Sequence, residues 1–280
     1  MNRSRPSLAP LLKLDRLIDI VDIGANPIDG DAPYKSILAA GLARVVGFEP
    51  NPEGLSKLNA QKGPNETYLP YAVFDGTEQE IKFCHWPGMT SLLEPNTELL
   101  GYYHGFPEWG KVLERRKIST VRLDDVAEIK DIDYLKIDIQ GAELEVFRNG
   151  VDRLRDCLVI QTEVEFLPMY KGQPLFSEVE LFLRSQGFVF HRFVDWQSRT
   201  VRPMLLDKNI YANLSQAFYG DAVFIKDFTK FDRLDPIALK KLALVLHDVY
   251  GSYDIALRAL MTHDRKIGSN LAEQYSRFLA

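Results

Sequence analysis

Two kinds of periodicity alternate along the chain. Short runs rich in β-branched residues end at turn residues, first at 16–24 (RLIDIVDIG) and again at 44–50 (RVVGFEP). The stretch between them, 32–42, has the spacing of a helix that Pro33 begins and Gly41 ends. Strands that alternate with helices form βαβ units, so the pattern predicts an α/β fold, a parallel sheet with helices on both faces. The alternation continues in three strand-like and two helix-like runs: 66–74, 131–139 and 156–166, then 141–150 and 176–187.

The pattern becomes purely helical near the C-terminus. Asp235, followed by proline, begins one amphipathic stretch, Gly251 ends it and Ser252 begins a second. We therefore expect an α/β domain over 1–230 and a C-terminal helical extension of two helices over 231–280. Two helices bury too little apolar surface to be stable alone. The extension must therefore pack on the α/β domain as a buttress, or on another chain in a homo-oligomer or with a partner.

The segment 85–116 is the least regular part of the chain. Glycine, proline and aromatic residues crowd it, and structureless segments of this length in compact domains usually carry function. We interpret it either as a lid over an acceptor pocket or as an aromatic clip that packs on the core. Five side chains are candidates for contact with a sugar ring, to which aromatic rings offer flat apolar faces: His85, Tyr102, Tyr103, His104 and Trp109.

Composition and charge narrow the classes of function. The 280 residues are 46% apolar and 26% charged, enough for the full core of a globular protein. A net charge of −5 and a pI of about 5.6 argue against nucleic-acid binding, which requires clustered Lys and Arg. Cys84 and Cys157 stand far apart without metal-ligand spacing, so neither a disulfide framework nor a metal site is expected. No run reaches the ~18 apolar residues of a membrane span, and we expect a cytoplasmic protein.

The stretch VDIGANPIDGD (21–31) ends the first predicted strand in a glycine turn. It lacks the G-x-G-x-x-G spacing that brings a backbone close to a pyrophosphate, because Gly24 is followed by no glycine before Gly30. Glu49 ends the second strand, where a carboxylate can accept hydrogen bonds from both hydroxyls of a ribose. This arrangement suits an adenosyl ligand without a pyrophosphate, such as S-adenosylmethionine. The alternative is that Asp22 only caps the turn and that Glu49 is solvated.

Four stretches match one known family in order and spacing: FEPNP (48–52), LPYAVFDG (69–76), VRLDDV (121–126) and DYLKIDIQGAELEVFRNG (133–150). They resemble the FkbM family of S-adenosylmethionine-dependent methyltransferases over roughly residues 17–226, and KIDIQGAE is the most specific element. The resemblance implies a class I, Rossmann-like methyltransferase fold with a mostly parallel seven-stranded sheet whose last strand, 220–227, is antiparallel. It also implies O-methylation of a hydroxyl on a sugar, glycolipid or polyketide-like acceptor.

The same resemblance implies a set of site residues. Two positions depart from the family: Ile28, followed by an expanded DGDAPY, where a glycine is usual, and Gln140 where Glu is frequent. Gly141 and Glu143 match the rest of the KIDIQGAE signature. The residues that the resemblance places at S-adenosylmethionine are Asp22, Gly24, Ala25, Asn26, Glu49, Asn51, Ala72, Asp75, Asp138 and Gln140.

Methyl transfer to a hydroxyl requires alignment of three atoms and a base that takes up the hydroxyl proton. Our candidates for this base are Asp138, Glu163, Glu165 and His85. Asp138 ends a strand, although it could instead cap the following helix. Gln161, Glu163 and Glu165 share one face of a strand, either in the pocket or at a solvated strand end. Glu165 replaces a histidine that is frequent in the family, which leaves the identity of the base open.

Two other functions compete with this interpretation. A nucleotide-dependent oxidoreductase or epimerase would need a second phosphate-binding glycine or a Tyr-x-x-x-Lys pair, and neither is evident. A non-catalytic methyltransferase-like binding or assembly subunit would explain Ile28, Gln140 and the added C-terminal helices. We expect an enzyme that methylates a small-molecule or glycan acceptor without a metal.

Overall fold

The structure is a computed structural model that describes residues 5–26 and 30–280, so Ile28 lies outside the described residues. The strands of the described part are β1 (Ile18–Ile23), β2 (Ala43–Phe48), β3 (Glu66–Leu69), β4 (Ala72–Phe74), β5 (Glu78–Cys84), β6 (Val112–Arg122), β7 (Tyr134–Ile137), β8 (Val159–Glu165), β9 (Phe188–Phe193), β10 (Gln197–Arg199) and β11 (Gln216–Lys226). Its α-helices are α1 (Ala9–Leu12), α2 (Lys35–Ala39), α3 (Pro52–Gln61), α4 (Thr97–Leu100), α5 (Phe106–Trp109), α6 (Glu143–Arg148), α7 (Val151–Leu154), α8 (Phe176–Ser185), α9 (Pro236–Asp248), α10 (Tyr253–Ile267) and α11 (Leu271–Leu279).

The main sheet has the order β3-β2-β1-β7-β8-β11, and both β9 and β10 also pair with β11. Strands β3, β2, β1, β7 and β8 are parallel, whereas β11 runs antiparallel to its three neighbours. This is the expected class I methyltransferase fold, with the antiparallel last strand in its expected place. The described part of the sheet contains eight strands rather than seven. Strand β11 has 11 residues, long enough to pair with β10 near its start and with β9 near its end.

The predicted strand 66–74 is two strands in two different sheets. Pro70 has no N–H to continue the ladder, so β3 ends at Leu69 and the chain leaves the main sheet. Strand β4 instead joins a second sheet of order β4-β6-β5. Strand β6 also begins at Val112, so the irregular part of 85–116 is only 85–111, which we call the lid segment.

The C-terminal helices cover one face of the main sheet. Helix α9 begins where the sequence predicted, because the Asp235 side chain accepts hydrogen bonds from two N–H groups of its first turn. Its apolar side chains share a continuous core with β1 and β2. A third helix, α11, was not predicted, and it contributes the fully buried ring of Tyr275. Across the described residues, no helix is both long enough and apolar enough to span a bilayer.

Candidate functional site

A row of acidic side chains lies at the carboxyl edge of the central strands. Asp221 on β11 pairs with Glu163 on β8, and Asp138 directly follows β7, the other neighbour of β8. The three side chains line a cavity of about 440 Å³. Asp138 and Glu163 were predicted as site residues, whereas Asp221 was not. Ligands of open α/β sheets bind at this edge, so the cavity is the candidate active site.

Gln140 joins two carboxylates of this row. Its amide nitrogen donates to Asp138 Oδ1 at 2.9 Å and to Glu163 Oε2 at 3.0 Å, while the Tyr170 hydroxyl lies 3.2 Å from its amide oxygen. Gln140 has a φ of 60°, a left-handed conformation that residues other than glycine seldom adopt. A glutamate here would add a third negative charge between two carboxylates. The departure from the family's frequent Glu therefore matches the local electrostatics.

Burial and mutual repulsion keep protons on two carboxyls of this row, Glu163 and Asp221, to higher pH than usual. Burial, followed by the charges of Asp138 and Glu165, raises the pKa of Glu163 well above its ordinary value. Burial and then Asp138 raise the pKa of Asp221 to about 6, and Lys136 opposes this rise. Glu163 therefore keeps its proton to higher pH than an ordinary glutamate, and the cavity carries less negative charge than its composition suggests.

Lys136 lies beneath the row and was missed at the sequence level. Its ammonium group is 3.7 Å from Asp22 Oδ1. Burial alone would lower the pKa of Lys136, but the surrounding carboxylates, Asp22 and Asp138 first, outweigh it and raise that pKa. The signal was available, because residues two apart on a strand share a face and Lys136 precedes Asp138 by two.

The rest of the KIDIQGAE signature shapes the turn that carries Gln140. Glu143 Oε1 accepts hydrogen bonds from the N–H groups of Ile139 at 2.8 Å and Gly141 at 3.2 Å. Helix α6 begins at Glu143, and the side chain of Asp138 does not cap it. Gly141 has a φ of 95°, and a Cβ there would lie 2.6 Å from the Gln173 amide nitrogen. The signature thus holds the turn while Asp138 remains at the cavity.

Glu165, a predicted base, lies behind the cavity. Its side chain is buried, and Oε1 has no hydrogen-bond partner among the described residues. Burial, followed by the charges of Glu143 and Asp138, raises the pKa of Glu165 well above its ordinary value. Period-2 alternation placed Glu165 on the face of Glu163 but could not show that the chain after β8 covers it.

His85, the other predicted base, also lies outside the cavity. Its ring is half exposed, and Nδ1 lies 3.6 Å from a carboxylate oxygen of Glu108. The next residue, Trp86, does line the cavity. Successive side chains of extended backbone point in opposite directions, so the placement of Trp86 turns His85 outwards.

The walls of the cavity are aromatic and polar. The Trp109 ring stacks on Tyr211, with centroids 5.5 Å apart and planes at 15°. Of the other lid candidates, Tyr103 is buried against aromatic rings, Tyr102 is exposed, and His104 Nε2 lies 2.9 Å from the Met204 carbonyl oxygen. The lid segment therefore both lines the cavity and packs on the core. The residues of the lid segment that line the cavity include Trp86, Met89 and Trp109. The opposite wall includes Asp195, Arg199, Tyr211 and Tyr219.

The predicted cofactor loop lies beside this row. Gly24 has a φ of 80°, and a Cβ there would lie 2.1 Å from the backbone oxygen of Asp138, so only glycine fits. The N–H groups of Gly24 and Ala25 both donate to the Phe48 carbonyl, which ties the ends of β1 and β2 together. Asp22 points inward instead, where it accepts a hydrogen bond from Tyr34. Asp22 therefore supports the loop from below.

Glu49 has the environment expected of a ribose-binding carboxylate. It is buried, and Oε1 accepts a hydrogen bond from the N–H of Asn51 at 2.7 Å. Its other oxygen has no hydrogen-bond partner in the described part of the chain. Gly54 was missed by sequence reasoning: a Cβ there would lie 2.9 Å from the Asn26 amide nitrogen and 3.1 Å from Glu49 Cδ. The buried carboxylate at this strand end, with one oxygen able to accept hydrogen bonds from ribose hydroxyls, therefore fits an adenosyl ligand.

Three of the predicted cofactor residues, Asp75, Ala72 and Asn51, make contacts within the fold. Asp75 accepts hydrogen bonds from the backbone and hydroxyl of Thr77 and from Thr120, which closes the turn between β4 and β5. Ala72 is buried in β4 of the second sheet. Asn51 caps helix α3 through a hydrogen bond from the Glu53 N–H. Within residues 5–26 and 30–280, no three His, Cys, Asp or Glu side chains are grouped as metal ligands would be.

Comparison with known proteins identifies the family of the chain. The family model described as the methyltransferase FkbM domain matches residues 22–190, more than half of the chain. The chain is 27% identical over 176 residues to the 2-O-methyltransferase NoeI of Sinorhizobium fredii, covering 58% of this chain and 70% of NoeI.

Solved structures of methyltransferases are also similar to this chain. The methyltransferase FkbM of Methylobacillus flagellatus aligns with 10% identity and a TM-score of 0.42 over 77% of this chain and 47% of that one. The magnesium protoporphyrin IX methyltransferase of Synechocystis aligns with 11% identity and a TM-score of 0.39 over 79% and 76%.

Proposed function

The chain belongs to the FkbM family of S-adenosylmethionine-dependent methyltransferases, and we propose that it methylates a hydroxyl of an uncharged carbohydrate acceptor. The observation that carries the proposal is the cavity itself, in which aromatic rings face a row of carboxylates. Aromatic faces pack on the apolar faces of sugar rings, and carboxylates accept hydrogen bonds from sugar hydroxyls. The similarity to NoeI, named as a 2-O-methyltransferase, supports oxygen as the methylated atom.

The cofactor would be held by the strand ends beside the cavity. S-adenosylmethionine supplies an electrophilic methyl group on a sulfonium. Glu49 would accept hydrogen bonds from the ribose through its unpartnered oxygen. The lack of a Cβ at Gly24 and Gly54 lets these backbones pack closely against Asp138 and against Asn26 and Glu49. Asn26 lies against Gly54 and would contact the same ligand. Gly24 touches Asp138, so this ligand would reach the cavity at its acidic row.

We assign Asp138 as the base that takes up the hydroxyl proton. It is the cavity carboxylate next to the cofactor loop, and Gln140 fixes its Oδ1. Burial raises the pKa of Glu163 well above its ordinary value, and while it holds that proton Glu163 can donate a hydrogen bond to an acceptor oxygen but cannot take up another proton. Glu165 and His85 do not line the cavity.

The charge of the cavity selects against anionic acceptors. Four carboxylates line it (Asp138, Glu163, Asp195 and Asp221), together with the single guanidinium of Arg199. That guanidinium donates to three neutral side chains, those of Asn213, Gln197 and Tyr219, and its Nε has no hydrogen-bond partner among the described residues. A phosphate on the acceptor would face four carboxylates and one guanidinium, so neutral glycosides should be preferred over sugar phosphates.

Release of S-adenosylhomocysteine with a panel of methyl glycosides and matching sugar phosphates would test this proposal. Asp138→Asn should lower kcat by about 10²–10⁴-fold and leave S-adenosylmethionine affinity nearly unchanged, because general-base catalysis contributes that factor. Glu163→Gln should retain far more activity, since an amide can still donate a hydrogen bond. Asp152→Asn, on the exposed surface, is the control. Full turnover by Asp138→Asn, or preference for sugar phosphates, would refute the assignment.

A further inference from the structure

The C-terminal helices contribute a side chain to a buried hydrogen-bond network beneath the cavity. Tyr250, which follows α9, places its hydroxyl oxygen 2.6 Å from that of Tyr134 and 2.9 Å from Gln161 Oε1. The Tyr134 hydroxyl lies 3.2 Å from the same amide oxygen. All three residues are buried, so each polar atom depends on the others for its hydrogen bonds.

The network continues from Gln161 to the acidic row. The Gln161 amide nitrogen donates to Asp221 Oδ2 at 3.1 Å. An ionised carboxylate only accepts hydrogen bonds, so the amide nitrogen must face Asp221 and the amide oxygen must face the two hydroxyls. The tyrosine hydroxyls therefore fix the orientation of the amide, and the amide fixes one oxygen of a carboxylate that lines the cavity.

We propose that Tyr250 is a positioning residue of the active site, which acts through Gln161 to hold Asp221 in place for the acceptor. The inference rests on the proposed function, because it assigns Asp221 to acceptor binding in the same cavity. The family match ends at residue 190, so both Tyr250 and Asp221 lie outside the matched region. The C-terminal extension would then complete the acceptor site as well as cover the sheet.

Tyr275 provides a matched control within the same extension. Its ring is fully buried and its hydroxyl lies 2.8 Å from His247 Nδ1, while His247 Nε2 lies 3.0 Å from the Pro6 carbonyl oxygen. This second network leads to the N-terminal segment and away from Asp221. Tyr250→Phe and Tyr275→Phe thus each remove a hydroxyl from a buried tyrosine, and of the two networks described here only that of Tyr250 leads to the cavity.

The first measurement needs no acceptor. In protein labelled with ¹³C at aspartate carboxyl carbons, Asp221→Asn would identify the Asp221 signal, and its titration would be followed by NMR. Gln161→Leu should raise the pKa of Asp221, because a donor that favours the ionised form is lost. Tyr250→Phe should raise it in the same direction, and Tyr275→Phe should leave it unchanged. Charged groups near Asp221 stay constant across these variants: Lys136, Asp138, Glu163 and Asp195.

A double variant shows whether Tyr250 affects Asp221 through Gln161 or through a general loosening of the fold. Once Gln161→Leu has removed the amide, adding Tyr250→Phe should shift the Asp221 titration no further, because the path between the two is already broken. The Tyr134 hydroxyl lies 3.2 Å from the Gln161 amide oxygen, so Tyr250→Phe keeps a partner for the amide and should fold. Equal shifts from Tyr250→Phe and Tyr275→Phe, or additive shifts in the double variant, would overturn the proposal.

Kinetics supply the second measurement. Tyr250→Phe should raise the acceptor KM by about 2- to 10-fold, the factor for one weakened hydrogen bond, and leave S-adenosylmethionine affinity unchanged. If no glycoside is methylated while the Asp221 shifts appear as expected, the proposed function fails and the positioning network stands. An unchanged titration and KM in Tyr250→Phe would refute the network even if methyl transfer is confirmed.

Discussion

Replacing Lys136 by Met should destabilise the protein strongly and in a pH-dependent way. The Lys136 and Asp22 side chains are only 19% and 3% exposed, and their charged atoms are 3.7 Å apart. Methionine has a similar shape, so the change removes the charge with little loss of packing. Breaking a buried ion pair typically costs about 3–5 kcal/mol, because the remaining charge is left buried without a partner. We expect this loss in the free energy of unfolding at pH 8.

The loss should shrink as the pH falls. Without Lys136, the pKa of Asp22 in the folded state rises further above its unfolded value, so the folded state binds a proton that the unfolded state releases. The free energy of unfolding therefore falls as the pH rises from the unfolded-state pKa to the folded-state pKa, with a slope of about 1.4 kcal/mol per pH unit. Between pH 8 and pH 5 the variant should therefore recover much of its stability relative to the wild type.

Urea unfolding followed by tryptophan fluorescence at pH 5, 6.5 and 8 would measure both effects. The control is Lys117→Met, which removes a surface ion pair with Glu78 at 2.7 Å between largely exposed side chains. That pair should contribute less than about 1 kcal/mol at any of these pH values. The reasoning fails if Lys136→Met costs no more than Lys117→Met, or if its cost is the same at pH 5 and pH 8.

Three further predictions follow from the same contacts. Glu49→Ala should weaken S-adenosylmethionine binding by about 1.5–3 kcal/mol in calorimetry, because a hydrogen bond to a charged group typically contributes that much. The exposed Glu53 on α3 is the control, and equal effects of Glu49→Ala and Glu53→Ala would contradict the ribose assignment. The wild type should lose stability from pH 5 to pH 8, because burial raises the folded-state pKa of Asp221 to about 6 and that of Glu143 to about 7. Urea titrations that give the same free energy of unfolding across this pH range would refute this. Truncation after Asp227 should expose the apolar face under α9 and lower solubility or change the oligomeric state in light scattering; a truncated chain with unchanged particle mass and melting would show an independent appendage.

Local patterns predicted the elements of the fold because neighbouring residues decide them. The Asp-Pro start of α9 follows from local capping. The expected glycine end lies slightly further on: α9 ends at Asp248, and Gly251 turns the chain beyond it with a φ of 62°. Alternation along β8 likewise placed Glu163 on a face with Gln161. Where a single residue broke the pattern, as Pro70 does between β3 and β4, the run of apolar residues concealed the break.

The arrangement of the site required the tertiary structure, because its groups come from strands far apart in the chain. Asp221 reaches the row only because β11 inserts beside β8, and no local pattern reports which strands become neighbours. Gln161 looked like one more polar residue on a strand until Tyr250, 89 positions later, was seen to orient it. The sequence determined which residues could bear charge at strand ends. Burial and pairing across the sheet decided which carboxylate faces the cavity, which holds its proton and which is covered, because those properties depend on distances that the chain order does not contain.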